Sequence, residues 1–358
     1  MKKVCFLKSD FNGGGTERVT SVIANGLAKF EEDFEIYVLD INNPNKTKIF
    51  NLDDNIRHHS ITNIKKGKLS IIYSNYKLYN FLKKYKIDIL VNVQAMMGVH
   101  SLLPTLVTKT KNIIWEHANF YQKQGTKVID MVRQLELLFS SHYVVLTEKD
   151  KKNFENNFIC KCPVDNIYNP IYLKNATSYK TNSTTIISVG HLRQIKGFDM
   201  IIDVAGIVFK YHPEWVWKIY GEGPERVKLE REIKALGLEK NIVLCGRTNN
   251  IENAYKEAAM YVLTSRSEGL PMVLLEAKAY NLPIVSFDIE TGPDEIIDQS
   301  VNGYLVEKNN VEDMATRICH LIENEKTRKA FSNNAKNNIE KFDEKEILNK
   351  WINLFNKF

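Results

Sequence analysis

Short apolar strands alternate with helical segments along almost the whole chain of 358 residues, and this alternation limits the possible folds more than any other feature. A strand, a helix and another strand in succession are typical of a parallel sheet covered by helices. The alternation stops once, in a polar stretch over residues 173–184, and then restarts. We therefore expect an α/β protein of two doubly wound parallel-sheet domains, residues 1–170 and 171–342.

Six strands are predicted in each domain, with helices between them. In the first domain they are Lys3–Leu7, Phe34–Leu39, Ile87–Val93, Asn112–Glu116, Tyr143–Leu146 and Asn166–Tyr168. In the second they are Thr185–Val189, Val216–Tyr220, Asn241–Leu244, Tyr261–Leu263, Ile284–Phe287 and Tyr304–Val306. The clearest helices are Thr16–Phe30, Leu69–Tyr85, Pro224–Leu236, Met272–Tyr280 and Lys345–Phe355. Because open parallel sheets bind ligands beyond the carboxyl ends of their strands, we expect the two domains to face each other across a ligand-binding cleft.

The composition indicates in which cellular compartment this protein is expected. No segment has the run of apolar residues that a membrane-spanning helix needs, and the apolar residues Val4–Leu7 are too few for a signal peptide. The five cysteines are scattered and odd in number, which suits a reduced compartment rather than a disulfide framework. We therefore expect a cytoplasmic protein.

The positive charge lies in the first domain. Lys and Arg outnumber Asp and Glu by 24 to 17 over residues 1–170, against 25 to 26 over the rest of the chain. The segments 65–68 and 83–86 carry much of this excess. A basic face can meet nucleic acid, an anionic membrane or a phosphate-bearing acceptor, or it can be only a solvated lysine-rich surface. Nucleic acid is the least favoured of these, because the basic segments lack interleaved aromatic positions of a recognisable base-stacking type.

The most specific segment for chemistry is Ser267–Ala277, which follows a buried strand. Glu268 lies in the loop after that strand, Pro271 marks the first turn of a helix, and Glu276 lies in the helix's second turn. Gly269 permits a close backbone approach, and the free N–H groups at a helix start form an anion site. Carboxylates suit sugar and ribose hydroxyls because each accepts two hydrogen bonds. In the alternative interpretation, Glu268 is only a helix-start charge and Glu276 is a surface residue.

This segment resembles one of the retaining glycosyltransferases of family four, also called group 1, which have the GT-B fold of two Rossmann-like domains. The resemblance covers nearly the whole chain and rests first on Glu268-x7-Glu276 with Gly269-x-Pro271 between. It implies that Glu276 holds the ribose of a nucleotide-sugar donor and that Glu268 contacts the donor sugar. The diphosphate would face the backbone amides of Gly269, Leu270, Met272, Val273 and Leu274. In relatives the C-terminal helix packs on the first domain, which implies the same here for residues 343–358.

A second segment, Val189–Asp199, runs from a strand into a helix. The family has Gly-Arg-Leu-x3-Lys-Gly here, and its Arg and Lys clamp the leaving diphosphate. Lys196 matches this pattern, whereas His191 stands where the Arg is expected, so Arg193 is the candidate replacement. A fixed cation stabilises the negative charge that grows on the leaving group. A purely structural role for His191 stays open.

The first domain offers two further candidates. The run Asn12-Gly13-Gly14-Gly15 follows strand one and opens a helix, and it fits neither a dinucleotide fingerprint nor a P-loop. It is similar to the family's Gly-Gly-x-Glu-Arg opening, which implies that Gly14 and Gly15 lie near the donor phosphate. His117 follows a strand and, taken alone, favours a structural histidine. The resemblance instead implies a catalytic contact near the reacting carbon of the donor sugar.

Two shorter matches concern the identity of the donor. Gly246 and Arg247 stand where family members hold the nucleotide base through backbone groups. Thr291-Gly292-Pro293 is similar to a segment of members that use UDP-hexoses or UDP-N-acetylhexosamines. We therefore expect a UDP-sugar donor. No Asp-x-Asp motif and no His or Cys cluster at ligand spacing occurs in the sequence, so neither a metal nor another cofactor is expected.

Together these residues predict a retaining hexosyltransferase in the assembly of surface polysaccharide. The basic first domain favours a glycan or lipid-diphosphate-linked acceptor and peripheral attachment to the inner face of the membrane. Closure of the cleft would exclude water as a competing acceptor. Two alternatives remain: another nucleotide-sugar enzyme of the same fold, and a catalytically silent relative that acts as a partner subunit.

Overall fold

The computed structural model describes residues 1–9, 14–41, 50–61, 68–122, 127–171 and 179–358. Asn12 and Gly13 of the predicted glycine loop lie outside the described residues. So do residues 65–67 of the first basic cluster and residues 172–178, which hold the first part of the predicted linker. The chain divides into two compact units, Met1–Pro170 with Lys341–Phe358 and Ile171–Glu340. Each unit has its own parallel sheet, so the predicted fold class is confirmed.

The described residues of the first unit form a seven-stranded sheet whose order is β3-β2-β1-β4-β5-β6-β7. Its central strands are buried on both faces, as expected for a parallel sheet covered by helices. The strands are β1 (Lys2–Lys8), β2 (Phe34–Asp40), β3 (Arg57–Ser60), β4 (Ile89–Val93), β5 (Lys111–Trp115), β6 (His142–Val145) and β7 (Val164–Asn166). The helices between them are α1 (Gly15–Ala28), α2 (Lys68–Tyr85), α3 (Gly98–Thr108), α4 (Lys127–Phe139) and α5 (Glu148–Asn157).

In the first unit the sequence prediction omitted one strand and misplaced the bounds of two others. Strand β3 was not predicted, because its sequence Arg-His-His-Ser is polar and it lies at the sheet edge, where only one neighbour is needed. The third predicted strand starts two residues too early, because Lys86 has a left-handed backbone with a φ of 52°. The last predicted strand is displaced: β7 ends at Asn166, where it was expected to begin.

The described residues of the second unit form a six-stranded sheet in the order β10-β9-β8-β11-β12-β13. Its strands are β8 (Thr185–Val189), β9 (Val216–Tyr220), β10 (Ile242–Gly246), β11 (Met260–Leu263), β12 (Ile284–Asp288) and β13 (Gly303–Glu307). The helices are α6 (Phe198–Tyr211), α7 (Arg226–Ala235), α8 (Ile251–Glu257), α9 (Met272–Ala279), α10 (Pro293–Ile296), α11 (Val311–Glu323) and α12 (Glu325–Asn333).

The strand order of this sheet reverses between β8 and β11, with β9 and β10 on one side and β12 and β13 on the other. A reversal of this kind separates the loops that follow the two central strands and leaves a crevice where ligands bind. The loops concerned are residues 190–197 after β8 and 264–271 after β11. In the first sheet the same reversal lies between β1 and β4.

The last helix, α13 (Glu344–Asn356), belongs to the first unit although the second unit precedes it in the chain. Trp351 meets Trp115 of β5 edge-on, with ring centroids 4.9 Å apart, and Phe355 meets Phe34 of β2 at 5.9 Å. Leu348 packs so closely on α1 that a Cβ at Gly26 would lie 2.5 Å from one of its methyl carbons. The helix therefore contributes to the core of the first unit. None of the helices in the described part of the chain has the length and apolarity that crossing a membrane requires.

Candidate functional site

The loops after β8 and β11 are fixed to each other by their backbones. The Arg266 N–H donates to the Ile195 carbonyl at 2.8 Å, and the Thr264 hydroxyl donates to the Lys196 carbonyl at 3.4 Å. Gly197 has a φ of +65°, and a Cβ there would lie 2.0 Å from the Thr264 carbonyl oxygen. Only glycine fits such a close approach in a left-handed conformation. The two loops lie at the switch point of the sheet, where the strand order reverses, and these contacts hold them together.

Lys196 and Glu268, predicted from separate motifs, form an ion pair at this point. The Lys196 Nζ lies 2.6 Å from Oε1 and 2.8 Å from Oε2 of Glu268. The Ser265 hydroxyl also donates to Oε1 at 2.6 Å. Both carboxylate oxygens are thus engaged, which fixes the orientation of Glu268, while a lysine has three N–H donors and retains capacity for a further acceptor.

The segment Thr291–Pro293 packs against the loop that carries Glu268. The buried Thr291 hydroxyl donates to the Glu268 carbonyl at 2.8 Å. Gly292 has a φ of 103°, and a Cβ there would lie 2.7 Å from the Gly269 carbonyl oxygen and 2.5 Å from the Pro271 ring. A glycine is therefore required at residue 292. The contact brings together two segments, 23 residues apart, for which the family resemblance implies a role in donor binding.

Helix α9 starts at Met272, the residue that the sequence predicts, with Pro271 as its N-cap. Its first N–H groups have no acceptors within the helix, and its dipole favours an anion at this end. Glu276 follows in the second turn, where its Oε2 accepts a 2.7 Å hydrogen bond from the Tyr255 hydroxyl. Tyr255 is buried and stacks on Tyr280 with an interplanar angle of 4°. Glu276 is therefore held by a residue that the sequence analysis did not identify.

Basic side chains gather around the loop after β8. Burial lowers the pKa of His191, and the positive charges of Arg193, Arg247 and Lys196 lower it further, although a backbone hydrogen bond at Glu222 acts in the opposite direction. His191 is thus neutral at neutral pH and lies within electrostatic reach of three cations. Arg193 and Arg247 are exposed, so they are accessible to an anionic ligand. The cationic character predicted for this segment is present even though His191 does not supply it.

Glycines bring the ends of β8, β9 and β10 close together. The Gly190 N–H donates to the Tyr220 carbonyl at 2.9 Å, and the Gly221 N–H donates to the Gly246 carbonyl at 2.9 Å. A Cβ at Gly221 would lie 1.8 Å from the Gly190 carbonyl oxygen. Gly246, a predicted donor-binding residue, itself has a φ of +72°. The run Gly221-x-Gly223-Pro224 directly after β9 is a sequence signal of this turn that was not among the predicted features.

Arg266 is a second residue that sequence reasoning missed. It forms two hydrogen bonds with Asp199 of α6, at 2.8 and 2.6 Å, and donates to the Gln194 carbonyl at 2.7 Å. Partial burial opposes the charge on Asp199, but the hydrogen bonds and charge of Arg266 outweigh it and lower the pKa of this carboxyl. The guanidinium therefore ties the loop after β8, and Lys196 with it, to the loop after β11.

In the first unit, a buried ion pair fixes the loop that carries His117. The Arg133 side chain of α4 donates from Nε to Glu116 Oε2 at 3.1 Å, and its Nη2 lies 3.1 Å from the same oxygen. Its other N–H groups donate to the carbonyls of Asn119 and Phe120, at 3.0 and 2.9 Å. Arg133 and Glu116 are 1% and 3% exposed. One arginine thus holds three residues of the segment 116–120.

His117 lies on the Trp115 ring, with centroids 4.5 Å apart, and its Nε2 is buried with no hydrogen-bond partner among the described residues. Burial and the positive charge of Lys8 lower the pKa of His117 to about 3. The imidazole is therefore neutral at physiological pH, so it can exchange a hydrogen bond with a ligand hydroxyl but cannot serve as a cation. An unpaired buried nitrogen of this kind calls for a functional explanation.

Gly14 and Gly15 lie at the start of α1. A Cβ at Gly14 would lie 2.6 Å from Glu17 Oε2, whereas Gly15 has open space around its Cα. Glu17 also forms a 2.6 Å ion pair with Lys8, which is 1% exposed. A carboxylate thus already lies close to the amino end of this helix. Donor contacts for Gly14 and Gly15 stay a prediction.

Comparison with known proteins places the whole chain in one group. Residues 173–338 match the family described as glycosyl transferases group 1. An uncharacterized glycosyltransferase of Haemophilus influenzae is 32% identical over 98% of this chain and 99% of its own. A poly(ribitol-phosphate) alpha-N-acetylglucosaminyltransferase of Staphylococcus aureus is 34% identical over 60% of this chain and 43% of its own. A Campylobacter jejuni alpha-1,4-N-acetyl-D-galactosaminyltransferase, named for an undecaprenol-diphosphate-linked substrate, is 25% identical over 99% of this chain and 98% of its own.

Solved structures with low sequence identity share the fold. S. aureus TarM, in complex with fondaparinux, alpha-GlcNAc-glycerol and UDP, superposes with a TM-score of 0.83 over 99% of this chain and 100% of its own, at 19% identity. Anabaena HepE, in complex with UDP and glucose, gives a TM-score of 0.84 over 100% of both chains, at 16% identity. The predicted GT-B fold is confirmed.

Proposed function

Because this chain belongs to the group 1 glycosyltransferases, we propose that it transfers a hexose or N-acetylhexosamine from a UDP-sugar to a glycan or lipid-linked acceptor, with retention of the anomeric configuration. The observation that carries this proposal is the Lys196–Glu268 pair at the switch point of the second sheet. The pair lies beside the amino end of α9, where a nucleoside diphosphate is favoured, and it supplies a cation and a carboxylate there.

The leaving diphosphate is assigned to groups of fixed positive character. Lys196 has one N–H left for a phosphate oxygen, and the exposed Arg193 lies in the same loop. The amino end of α9 adds the backbone amides of Met272 and Val273. These groups stabilise the negative charge that develops on the diphosphate as its bond to the sugar breaks. Preorganised donors act most strongly on charge that develops in the transition state. We propose that these cations and backbone amides neutralise the diphosphate charge without a metal ion.

The sugar and ribose are assigned to the two glutamates. Glu276, oriented by the Tyr255 hydroxyl, would accept hydrogen bonds from the ribose. Glu268 would accept them from the donor sugar, and the neutral His117 would contact the sugar near its reacting carbon, as the family resemblance implies. Because both oxygens of Glu268 are engaged by Lys196 and Ser265, this carboxylate is poorly suited to act as a covalent nucleophile. We therefore propose same-face attack through an oxocarbenium-like transition state, with the leaving phosphate oxygen taking the acceptor proton.

The relatives support the proposed donor and acceptor classes. UDP is present in the solved complexes of TarM and HepE, and the names of the staphylococcal and Campylobacter relatives specify N-acetylhexosaminyl transfer. The Campylobacter relative is named for a lipid-diphosphate-linked glycan, and an acceptor of this kind would bring the protein to the inner face of an anionic membrane. We propose the same setting, in surface polysaccharide assembly, for this chain.

A thermal-shift panel of UDP-, GDP- and ADP-sugars, followed by NMR analysis of the product anomer, tests this function. We expect stabilisation by a UDP-sugar and a product with the donor's own anomeric configuration. An inverted product would overturn the retaining mechanism. No response to any nucleotide-sugar would favour a catalytically silent partner subunit instead.

A further inference from the structure

We infer that an open cavity at the carboxyl ends of α2 and α3 binds the phosphate headgroup of an anionic membrane lipid, while apolar side chains of both helices enter the bilayer. The inference deepens the membrane setting of the proposed function and rests on it. The cavity has a volume of about 780 Å³ and lies in the first unit. Four lysines line it: Lys83, Lys86, Lys109 and Lys111.

The four lysines are not neutralised within the described part of the chain. No ion pair joins any of them to a described carboxylate. The one acidic side chain among the cavity's lining residues is Asp88, whose Oδ2 accepts a 2.8 Å hydrogen bond from the Lys3 backbone N–H, so the lining side chains keep an excess of three positive charges. Like charges gathered in one concave surface create a positive potential that attracts a polyanion.

Helix ends account for only part of this cluster. Lys83, Lys86 and Lys109 lie in or just after the last turns of α2 and α3, where a cation complements the helix dipole. Lys111 is the first residue of strand β5, so interaction with a helix dipole does not explain a lysine at this position. Its Nζ lies 5.7 Å from the Phe358 ring centroid inside the same cavity. The cavity thus collects cations from two helices and a strand.

Apolar side chains extend from the cavity along the outer surface of both helices. Leu103, Leu106 and Val107 of α3 are 64%, 53% and 60% exposed and follow each other at helical spacing. Val107 also lines the cavity. On the adjacent helix α2, Ile72 and Tyr76 are 68% and 61% exposed, one turn apart. Single exposed apolar side chains are ordinary, but two packed helices that both expose such a stripe mark an interaction surface.

Charge decides which partner this surface fits. An isologous dimer through the same face would bring the four lysines of one copy towards the same four of the other. A bilayer with anionic lipids instead offers phosphates to the lysines and acyl chains to Leu103 and Ile72, which is how interfacial helices bind. The cavity is also at the amino edge of the sheet, since residues 87–88 and 110 precede β4 and β5, whereas His117 follows the carboxyl end of β5. Lipid binding there leaves the proposed active site free.

Vesicle co-flotation of the full chain tests the inference. We expect flotation with phosphatidylcholine vesicles that contain phosphatidylglycerol and none with phosphatidylcholine alone. Each lysine near an anionic surface contributes about 1 kcal/mol, which converts to about fivefold, so the double variant Lys83→Gln/Lys111→Gln should weaken partitioning about 30-fold. Neither position has a left-handed backbone, so glutamine fits both. The variant Leu103→Ser/Leu106→Ser should also lose flotation, because its apolar contact is removed.

The matched control is Lys234→Gln/Lys240→Gln, which removes the same charge from exposed positions of the second unit and should float like the wild type. Equal loss in the control and cavity variants would overturn the inference, because net charge alone would then explain attachment. Tight binding of soluble glycerol phosphate, or concentration-dependent dimerisation abolished by Leu103→Ser/Leu106→Ser, would also overturn it. UDP binding, measured on every variant, should not change, so failure of lipid binding is distinguishable from failure of the proposed transferase.

Discussion

The loops that carry the two halves of the proposed chemistry are built differently. In the first unit, the His117 loop is fixed by the buried ion pair of Glu116 and Arg133 and by stacking on Trp115. In the second unit, the switch-point loops are fixed by partly exposed polar contacts, with Lys196 30% exposed and Glu268 11%. A buried pair that loses one partner costs far more stability than an exposed pair. Substitutions that disturb the His117 loop should therefore mainly lower stability, and substitutions in the switch-point loops should mainly lower activity.

The largest expected effect on stability is that of Arg133→Met. The substitution leaves the buried Glu116 carboxylate without its cation and should lower the free energy of unfolding by about 3–5 kcal/mol. Urea denaturation of the variant measures this loss. The double variant Glu116→Gln/Arg133→Met should be less destabilised than Arg133→Met, because it buries no unpaired charge. Equal losses in the two variants would contradict the explanation.

For Lys196→Ala the comparison predicts the opposite result. We expect kcat to fall about 100- to 1,000-fold, because a fixed cation that faces the leaving group is lost. The free energy of unfolding should change by less than about 1 kcal/mol, since the ion pair is partly exposed. Steady-state kinetics and urea denaturation check the two parts, with Lys234→Ala as the control. A large loss of stability with little loss of kcat would reverse the assigned roles.

A smaller effect concerns the pH dependence of stability in the first unit. Burial and the charge of Lys8 lower the pKa of His117 to about 3, so below about pH 6.5 the unfolded chain binds a proton here that the folded chain excludes. Stability therefore falls as the pH decreases, by up to about 1.4 kcal/mol per pH unit from this group. Burial raises the pKa of Asp150 to about 6, so its contribution is present at low pH and is lost as the pH rises towards 6.

The variant His117→Gln separates these two contributions, because it removes the first and keeps the second. The stability of the wild type relative to this variant should fall by about 2 kcal/mol between pH 7 and pH 5. Denaturation at a series of pH values measures the difference. A difference that does not change with pH would show that His117 is not held neutral by the folded protein.

The smallest expected effect is that of Tyr255→Phe in the second unit. Loss of the hydrogen bond to Glu276 should weaken donor binding by about 1 kcal/mol, which is about fivefold in Kd, with kcat nearly unchanged. Calorimetric titration of the donor measures the change. Tyr280→Phe is the matched control, since it removes a hydroxyl from the ring that stacks on Tyr255. An equal effect in both variants would attribute the loss to aromatic packing.

The same contrast explains how far the sequence could lead. The alternation of strands and helices was enough to predict the fold class. The motifs around Lys196 and Glu268 could be recognised because each lies within one short segment. Arg133 and Tyr255 were missed because their partners, Glu116 and Glu276, are 17 and 21 residues away on other elements. Strand β3 was missed because a polar edge strand has no apolar pattern. Contacts between distant segments have no local signal in a single sequence.

Isothermal titration with UDP and with uridine tests the central assignment most directly. UDP carries the diphosphate and uridine does not, while both carry the ribose. We predict that Glu276→Ala weakens the binding of both ligands. Lys196→Ala should weaken the binding of UDP but not that of uridine, and its fold-change in UDP affinity should be smaller than its fold-change in kcat. Unchanged affinity for both ligands in Glu276→Ala, or equal losses for UDP and uridine in Lys196→Ala, would contradict the account.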